Sequence, residues 1–200
     1  MYPKQIAIVG CGSLGSFLSY HIVLKSLEQK INKLVLVDRD SLIHKNFPFI
    51  IGKDQLIECI GVPKVMALKH IFEDINPDLN IEIKHGSYPK IWNNDPDFYN
   101  IDCRDTVDEH SSFNLKLNID GDFGLINFKP EDYISSKTSR YILGDSKYNS
   151  MLFSGLCTQV IFNEDYKDDI STYCVLINKN MELFNVPKSV KSKSKENSIT

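Results

Sequence analysis

The feature that most constrains this chain is a hexapeptide, Gly10-Cys11-Gly12-Ser13-Leu14-Gly15, and the two segments that flank it. Before it, Gln5-Ile6-Ala7-Ile8-Val9 is apolar and runs into glycine, as a strand buried on both faces does. After it, Leu14, Phe17, Leu18, Ile22 and Leu24 recur at near-helical spacing, which predicts a helix from Ser13 to Leu27. A G-x-G-x-x-G between strand and helix has a division of labour. The first glycine permits a tight turn, and the second lets backbone approach a phosphate with no side chain between them. The third lets helix and strand pack closely, while unpaired N–H groups at the helix start attract an anion. The hexapeptide alone is a weak signal; its strand–turn–helix setting gives it content.

Lys33-Leu34-Val35-Leu36-Val37-Asp38 predicts a second buried strand, completing a strand–helix–strand crossover unit. Asp38 stands 23 residues after Gly15, where a carboxylate can accept both hydrogen bonds of a ribose diol, of NAD as readily as of ATP. Its plainer role would be to cap a loop. Residues 39–61 lack a period and read as a long loop with at most a short helical piece. Val65, Leu68, Ile71, Phe72 and Ile75 then predict a helix over Val62–Ile75, ended by Asn76-Pro77-Asp78. Strands are expected at Asn80–Lys84, Tyr99–Cys103 and Phe123–Phe128, and a helix at Asn149–Ile161. Two further strands, Thr172–Ile177 and Met181–Val186, form a hairpin around Lys179-Asn180. The alternation gives an α/β, Rossmann-like fold with a mostly parallel sheet flanked by helices and a C-terminal hairpin. One domain is expected over residues 1–187. Residues 188–200 alternate Lys and Ser with little to bury, and read as a disordered tail.

Several classes of function are disfavoured. The net charge of -3 gives no electrostatic reason to expect nucleic acid as a partner. No apolar stretch reaches the roughly 18–20 residues of a membrane span. The five cysteines are scattered with no Cys-x-x-Cys pair, which disfavours zinc knuckles and disulfide frameworks and fits a reducing, cytoplasmic setting. Of them, Cys157 and Cys174 read as buried and structural; Cys157 or Cys59 would be the candidates if a thiol acts at all. The five histidines have no metal-binding spacing, and no G-x-S-x-G occurs.

Beyond the glycine turn lies a series: Asp38-Arg39-Asp40, Asn46, Gly61-Val62-Pro63-Lys64, Ile75-Asn76-Pro77 and Asp102-Cys103-Arg104-Asp105-Thr106. Over Lys4–Thr106, slightly more than half the chain, it resembles the adenylation domain of the ThiF/MoeB family and of ubiquitin-activating enzymes. That family carries D-x-D, N-L-x-R-Q, G-x-x-K, I-N-P and D-C-x-D-N in this order. Asn46 lies eight residues after Asp38, and Ile75 eleven after Lys64, as in the family pattern. The resemblance implies ATP- and Mg²⁺-dependent activation of a carboxylate, usually the C-terminal glycine of a ubiquitin-like or sulfur-carrier protein, by a homodimer or heterodimer. It assigns Gly10, Gly12, Gly15, Asp38, Asp40, Asn46 and Lys64 to the nucleotide, with Gly12 by the phosphates, Asp38 on the ribose, and Asn46 and Lys64 on the triphosphate. Asp105, with Lys64 a catalytic residue in this scheme, would hold the metal and orient the α-phosphate. A lysine at a helix start is chemically apt, since it supplies a mobile cation to phosphate; outside this series it would read as a solvated surface lysine.

The chain departs from the family in three respects. Asn46-Phe47-Pro48-Phe49-Ile50 puts Phe49 where the family has the arginine that neutralises transferring phosphate charge. Thr106 stands where asparagine is usual, and the zinc-binding cysteine pairs are absent. Arg39 or an arginine of a partner subunit could supply the missing cation. Three readings follow: an adenylyltransferase reduced in size and impaired by the lost arginine; a non-catalytic Rossmann-fold interaction module or partner subunit; and, explaining least of the series, an NAD-dependent oxidoreductase.

Overall fold

Alternate residues of the central strands face opposite sides of one sheet, and both sides are dry. In the computed structural model, strand β1 (Gln5–Val9) points Ile6 and Ile8 to one face and Ala7 and Val9 to the other. Strand β2 (Lys33–Asp38) does the same with Leu34 and Leu36 against Val35 and Val37. This two-sided burial is why both strands read as unbroken apolar runs. The structure describes residues 3–47, 50–52, 56–92, 94–105, 113–120, 123–126, 143–162, 173–176 and 182–185.

Strands β3 (Asn80–His85), β4 (Tyr99–Asp102) and β5 (Leu115–Asp120) extend the parallel sheet, in the order β3-β2-β1-β4-β5. From β5 onward the pairing turns antiparallel through β6 (Phe123–Ile126), β7 (Tyr173–Leu176) and β8 (Glu182–Asn185). The last two form the expected hairpin, Tyr173 opposite Asn185 and Leu176 opposite Glu182, while its turn at Lys179-Asn180 lies outside the described residues. So does the segment 188–200.

Three helices, α1 (Ser13–Ser26), α2 (Lys64–Ile75) and α3 (Leu143–Phe162), pack on the Ile6/Ile8 face. Leu18 and Ile22 of α1, Leu68 and Phe72 of α2, and Phe153 and Cys157 of α3 are fully buried there. Burial of each large apolar side chain is worth roughly 1.5–3 kcal/mol. Helix α1 packs closely against both α3 and β1, and even Ser16 and Ser19 are buried, their hydroxyls donating back to the carbonyls of Ser13 and Gly15 at 3.0 and 2.6 Å. The opposite face is covered without a helix among the described residues. Trp92 and Phe98 pack against Ala7, Val9, Val35 and Val37, joined by Tyr88, Ile91 and Phe113. Trp92 is anchored by its indole N–H, which donates to Asn100 at 3.0 Å.

The structure refines several expectations. Helix α2 begins at Lys64, because Val62 and Pro63 pair back to the loop: Leu42 N–H donates to Val62 C=O, and Lys64 N–H to Asp40 C=O. The 39–61 loop holds two 3₁₀ turns, His44–Asn46 and Ile57–Cys59. Helix α3 begins six residues before the expected Asn149, and β5 is an additional strand.

Candidate functional site

The sheet order reverses direction of growth at β1, whose neighbours are β2 and β4; that is the switch point at which open α/β sheets hold ligands, beyond the C-terminal strand ends. A cavity of about 560 Å³ opens there, within the usual size range of small-molecule sites. Its floor is the glycine turn, and the three glycines are needed for different reasons. Gly10 has φ +93°, and a Cβ on it would lie 2.9 Å from the Arg104 backbone nitrogen. A Cβ on Gly15 would fall 1.8 Å from the Gly10 carbonyl oxygen, so only glycine lets α1 start this close to the turn. Gly12 differs: with φ -73° and nothing within 4 Å of a Cβ, the protein itself does not require glycine there. What the bare Gly12 leaves open is the cavity, next to a helix start that has no side-chain cap.

Asp38 ties the turn to β2. One carboxylate oxygen accepts the Cys11 N–H at 2.6 Å and the other the Asp40 N–H at 2.7 Å. Both oxygens thus have a structural partner, as a loop-capping carboxylate would, and each keeps a further lone pair where Asp38 lines the cavity. Asp40 in turn accepts from Lys64 Nζ at 3.0 Å. The Lys64 side chain is 9% exposed, so this pair fixes a buried cation at the N-terminus of α2, on the cavity wall. Arg39 is exposed beside it. Asp105 is exposed and lines the cavity too. Gly10, Gly12, Asp38, Asp40, Lys64 and Asp105 therefore share one cavity wall, with Gly15 packed beneath. Asn46 is not brought to that wall. It closes its own 3₁₀ turn by accepting the Ile43 N–H at 3.0 Å. Phe49 and Thr106 lie outside the described residues.

Other cavity residues carried no sequence signal of function. Arg104 forks onto Asp102, Nε to Oδ1 at 2.8 Å and Nη2 to Oδ2 at 2.9 Å. Its guanidinium lies 4.2 Å from the centre of the Tyr88 ring and 5.5 Å from that of Phe113. Tyr88 follows β3 and Arg104 follows β4, so their contact bridges the ends of β1 and β2, which lie between. Asn118 of β5 and Ser150 of α3 also line the cavity, and Ser13 donates to the Ser150 hydroxyl at 2.8 Å. Three carboxylates (Asp38, Asp40, Asp105) and three cations (Arg39, Lys64, Arg104) line the cavity. A polyanion entering this balanced site would bring an excess of negative charge with it. No cluster of three or more metal-ligating side chains exists among the described residues. Mg²⁺ needs only one or two carboxylates beside phosphate oxygens, a role open to Asp105 and Asp40.

The thiols are poorly placed for covalent chemistry. Burial raises the Cys157 thiol far above its ordinary range, which removes it as a nucleophile candidate. Burial, reinforced by nearby Asp38, raises Cys11, and burial, reinforced by Asp102, raises Cys103. Cys59 is half-buried outside the cavity wall.

A glycine turn closing the central strand, a carboxylate ending the next strand, and a cavity at the switch point define a Rossmann-like α/β protein. No protein-family model matches the chain, and no curated protein sequence matches it. Solved structures share its fold. Escherichia coli MccB aligns with a TM-score of 0.62 at 13% identity, over 90% of this chain and 61% of MccB. E. coli MccB with AMPCPP and selenomethionyl MccA aligns with a TM-score of 0.59 at 15% identity, over 90% of this chain and 62% of that one. This chain thus spans about three fifths of MccB. E. coli TcdA, a tRNA N6-threonylcarbamoyladenosine dehydratase solved with AMP, aligns over only 52% of this chain and 42% of its own, with a TM-score of 0.42 at 21% identity, too partial a likeness to argue from. Among the described residues no helix is long and apolar enough to cross a membrane.

Proposed function

We propose that this chain binds Mg·ATP in the switch-point cavity and adenylates a carboxylate at the end of a small protein or peptide, a ubiquitin-like or sulfur-carrier tail being the class its motifs fit. The observation that carries the reading is Gly12, a glycine that the fold does not need, at an uncapped helix start beside a buried lysine. In this scheme the phosphates lie along the N-terminus of α1, within reach of Lys64 once it exchanges Asp40 for phosphate oxygen. Asp38 receives the ribose. Asp105 would help to hold Mg²⁺, which would supply positive charge to offset that of the phosphate chain. The substrate carboxylate attacks the α-phosphorus, the bond to the β-phosphate oxygen breaks, and pyrophosphate leaves, giving an acyl-adenylate. The likeness of fold to MccB, solved with AMPCPP and MccA, supports both a nucleotide and a short peptide or protein substrate.

A second reading, nucleotide binding without adenylation, draws on Asn46, which serves its own turn and not the cavity, and on Phe49 in place of the family arginine. Calorimetric titration with Mg·ATP and separately with NAD, using Lys64→Ala and Asp105→Ala as controls, tests the ligand. Micromolar Mg·ATP binding lost in Lys64→Ala is expected, and binding of NAD alone would replace the proposal with an oxidoreductase. ATP–pyrophosphate exchange driven by candidate carboxylate tails then separates enzyme from binding module. A dimer in which a partner supplies the missing arginine belongs to the same proposal, checked by light scattering across a concentration series.

A further inference from the structure

The cavity lining is amphipathic. Gly12, Ser13, Asp40 and Lys64 give it polar groups, and Val9, Val37 and the Tyr88 ring give it apolar ones, with Arg104 among them. Val9 and Val37 belong to the apolar cluster against which Tyr88 packs. Arg104 crosses the cavity wall with its stem over Gly10, where a Cβ would meet Arg104 Cγ at 3.0 Å. Its charge is met by the fork onto Asp102, whose side chain is 5% exposed. One face of the planar guanidinium is backed by the Tyr88 ring at 4.2 Å. A guanidinium so fixed gives the cavity a rigid plane with little unbalanced charge. That suits a flat π system, which arginine stacks on readily, better than another phosphate group.

Resting on the nucleotide-binding reading, we infer that Arg104, held by Asp102 and backed by Tyr88, is the shelf on which the purine ring of the bound nucleotide stacks. The bridge from β3 to β4 makes it a specificity-determining wall: it limits where a base can lie once the phosphates occupy the Gly12 turn. Arg104 here acts on the base and Lys64 on the phosphates, so the two contributions separate by ligand.

The test compares Mg·ATP with Mg·tripolyphosphate, which shares the phosphate chain and lacks ribose and base, by calorimetry on the full chain. Arg104→Leu would leave the buried Asp102 without its partner, so the variant used is the double substitution Asp102→Asn with Arg104→Gln. Tyr88→Leu removes the backing and keeps the ion pair. The double variant should weaken ATP about tenfold, the loss of one stacked base contact, with tripolyphosphate within about twofold of wild type. Tyr88→Leu should weaken ATP by a smaller factor in the same selective way. Equal weakening of both ligands would overturn the inference by making Arg104 a phosphate contact. Wild-type ATP affinity in both variants would overturn it by making the wall inert. A wild-type chain that binds no ATP would instead sink the nucleotide reading, and the inference with it.

Discussion

Two glycines of one hexapeptide, Gly15 and Gly12, should respond to the same substitution in opposite ways. At Gly15, alanine puts a methyl 1.8 Å from the Gly10 carbonyl oxygen, where ordinary contact begins beyond 3 Å. The atom it meets is backbone, so α1 and the β1 turn must separate by more than an ångström, loosening the packing of Leu18 and Ile22. Overpacking a tight site costs ~1–3 kcal/mol and occasionally more; with no flexible atom to yield, Gly15→Ala should lie at the top of that range or above it. At Gly12 the methyl meets nothing, and φ -73° is open to any residue. Alanine is a poorer helix N-cap than glycine by ~0.5–1 kcal/mol and recovers ~0.4–1 kcal/mol by restricting the unfolded chain, so Gly12→Ala should stay within ~1 kcal/mol of wild type. Its cost should fall on the ligand, which can no longer approach the backbone. A loss of at least tenfold in Mg·ATP affinity, about 1.4 kcal/mol, is expected. Urea denaturation reads the first quantity and calorimetry the second. Wild-type ATP affinity in Gly12→Ala would refute the phosphate-turn assignment, and an unchanged urea midpoint in Gly15→Ala would refute the packing argument.

Two further outcomes follow from buried titratable groups. Burial between α1 and α3 lowers the pKa of His21 from its ordinary value of 6.5, outweighing its contact with the Met151 carbonyl at 3.3 Å. The unfolded chain therefore binds the proton more readily; the stability His21 contributes is full above about pH 6.5 and is lost as pH falls below it. Urea midpoints should drop between pH 7 and pH 5, with a shallower drop in His21→Gln; equal slopes would show that other groups govern that window. Among the described thiols, native-state labelling with a maleimide should modify Cys59 well before Cys11, Cys103 or Cys157, whose thiolates are suppressed by burial. Mass spectrometry of digested protein reads the order, and early labelling of Cys157 would contradict the packing of α3.

The parallel half of the fold was legible because two-sided burial writes itself as unbroken apolar runs, and glycine and proline punctuate them. Strand β5 carries an equally plain signal, Leu115, Leu117 and Ile119 alternating with polar residues. It follows 106–112, which has no hydrophobic period to set a boundary. The early start of α3 at Leu143 runs against the low helix propensity of Gly144, so local preference gave no sign of it. The site divides in the same way. Residues fixed by spacing along two successive crossovers, Gly12 and Asp38 on the first and Lys64 on the second, could be read in order. Tyr88, Arg104, Asn118 and Ser150 reach the cavity from four separate elements, and only strand order brings them together.

The same convergence bears on how the site would work. Lys64 rests on Asp40 and Arg104 on Asp102, so neither cation waits for a ligand as an uncompensated buried charge. The two pairs differ in how easily they open. Asp40 is 55% exposed, and water can take over its carboxylate when Lys64 turns to a phosphate; the Asp102 side chain is 5% exposed and has no such exit. Lys64 is thus the exchangeable cation and Arg104 the fixed one. A mobile cation suits a group whose charge moves during reaction, and a fixed plane suits the part of the ligand that must stay still. The cavity wall carries one cation of each kind, and so can meet both demands.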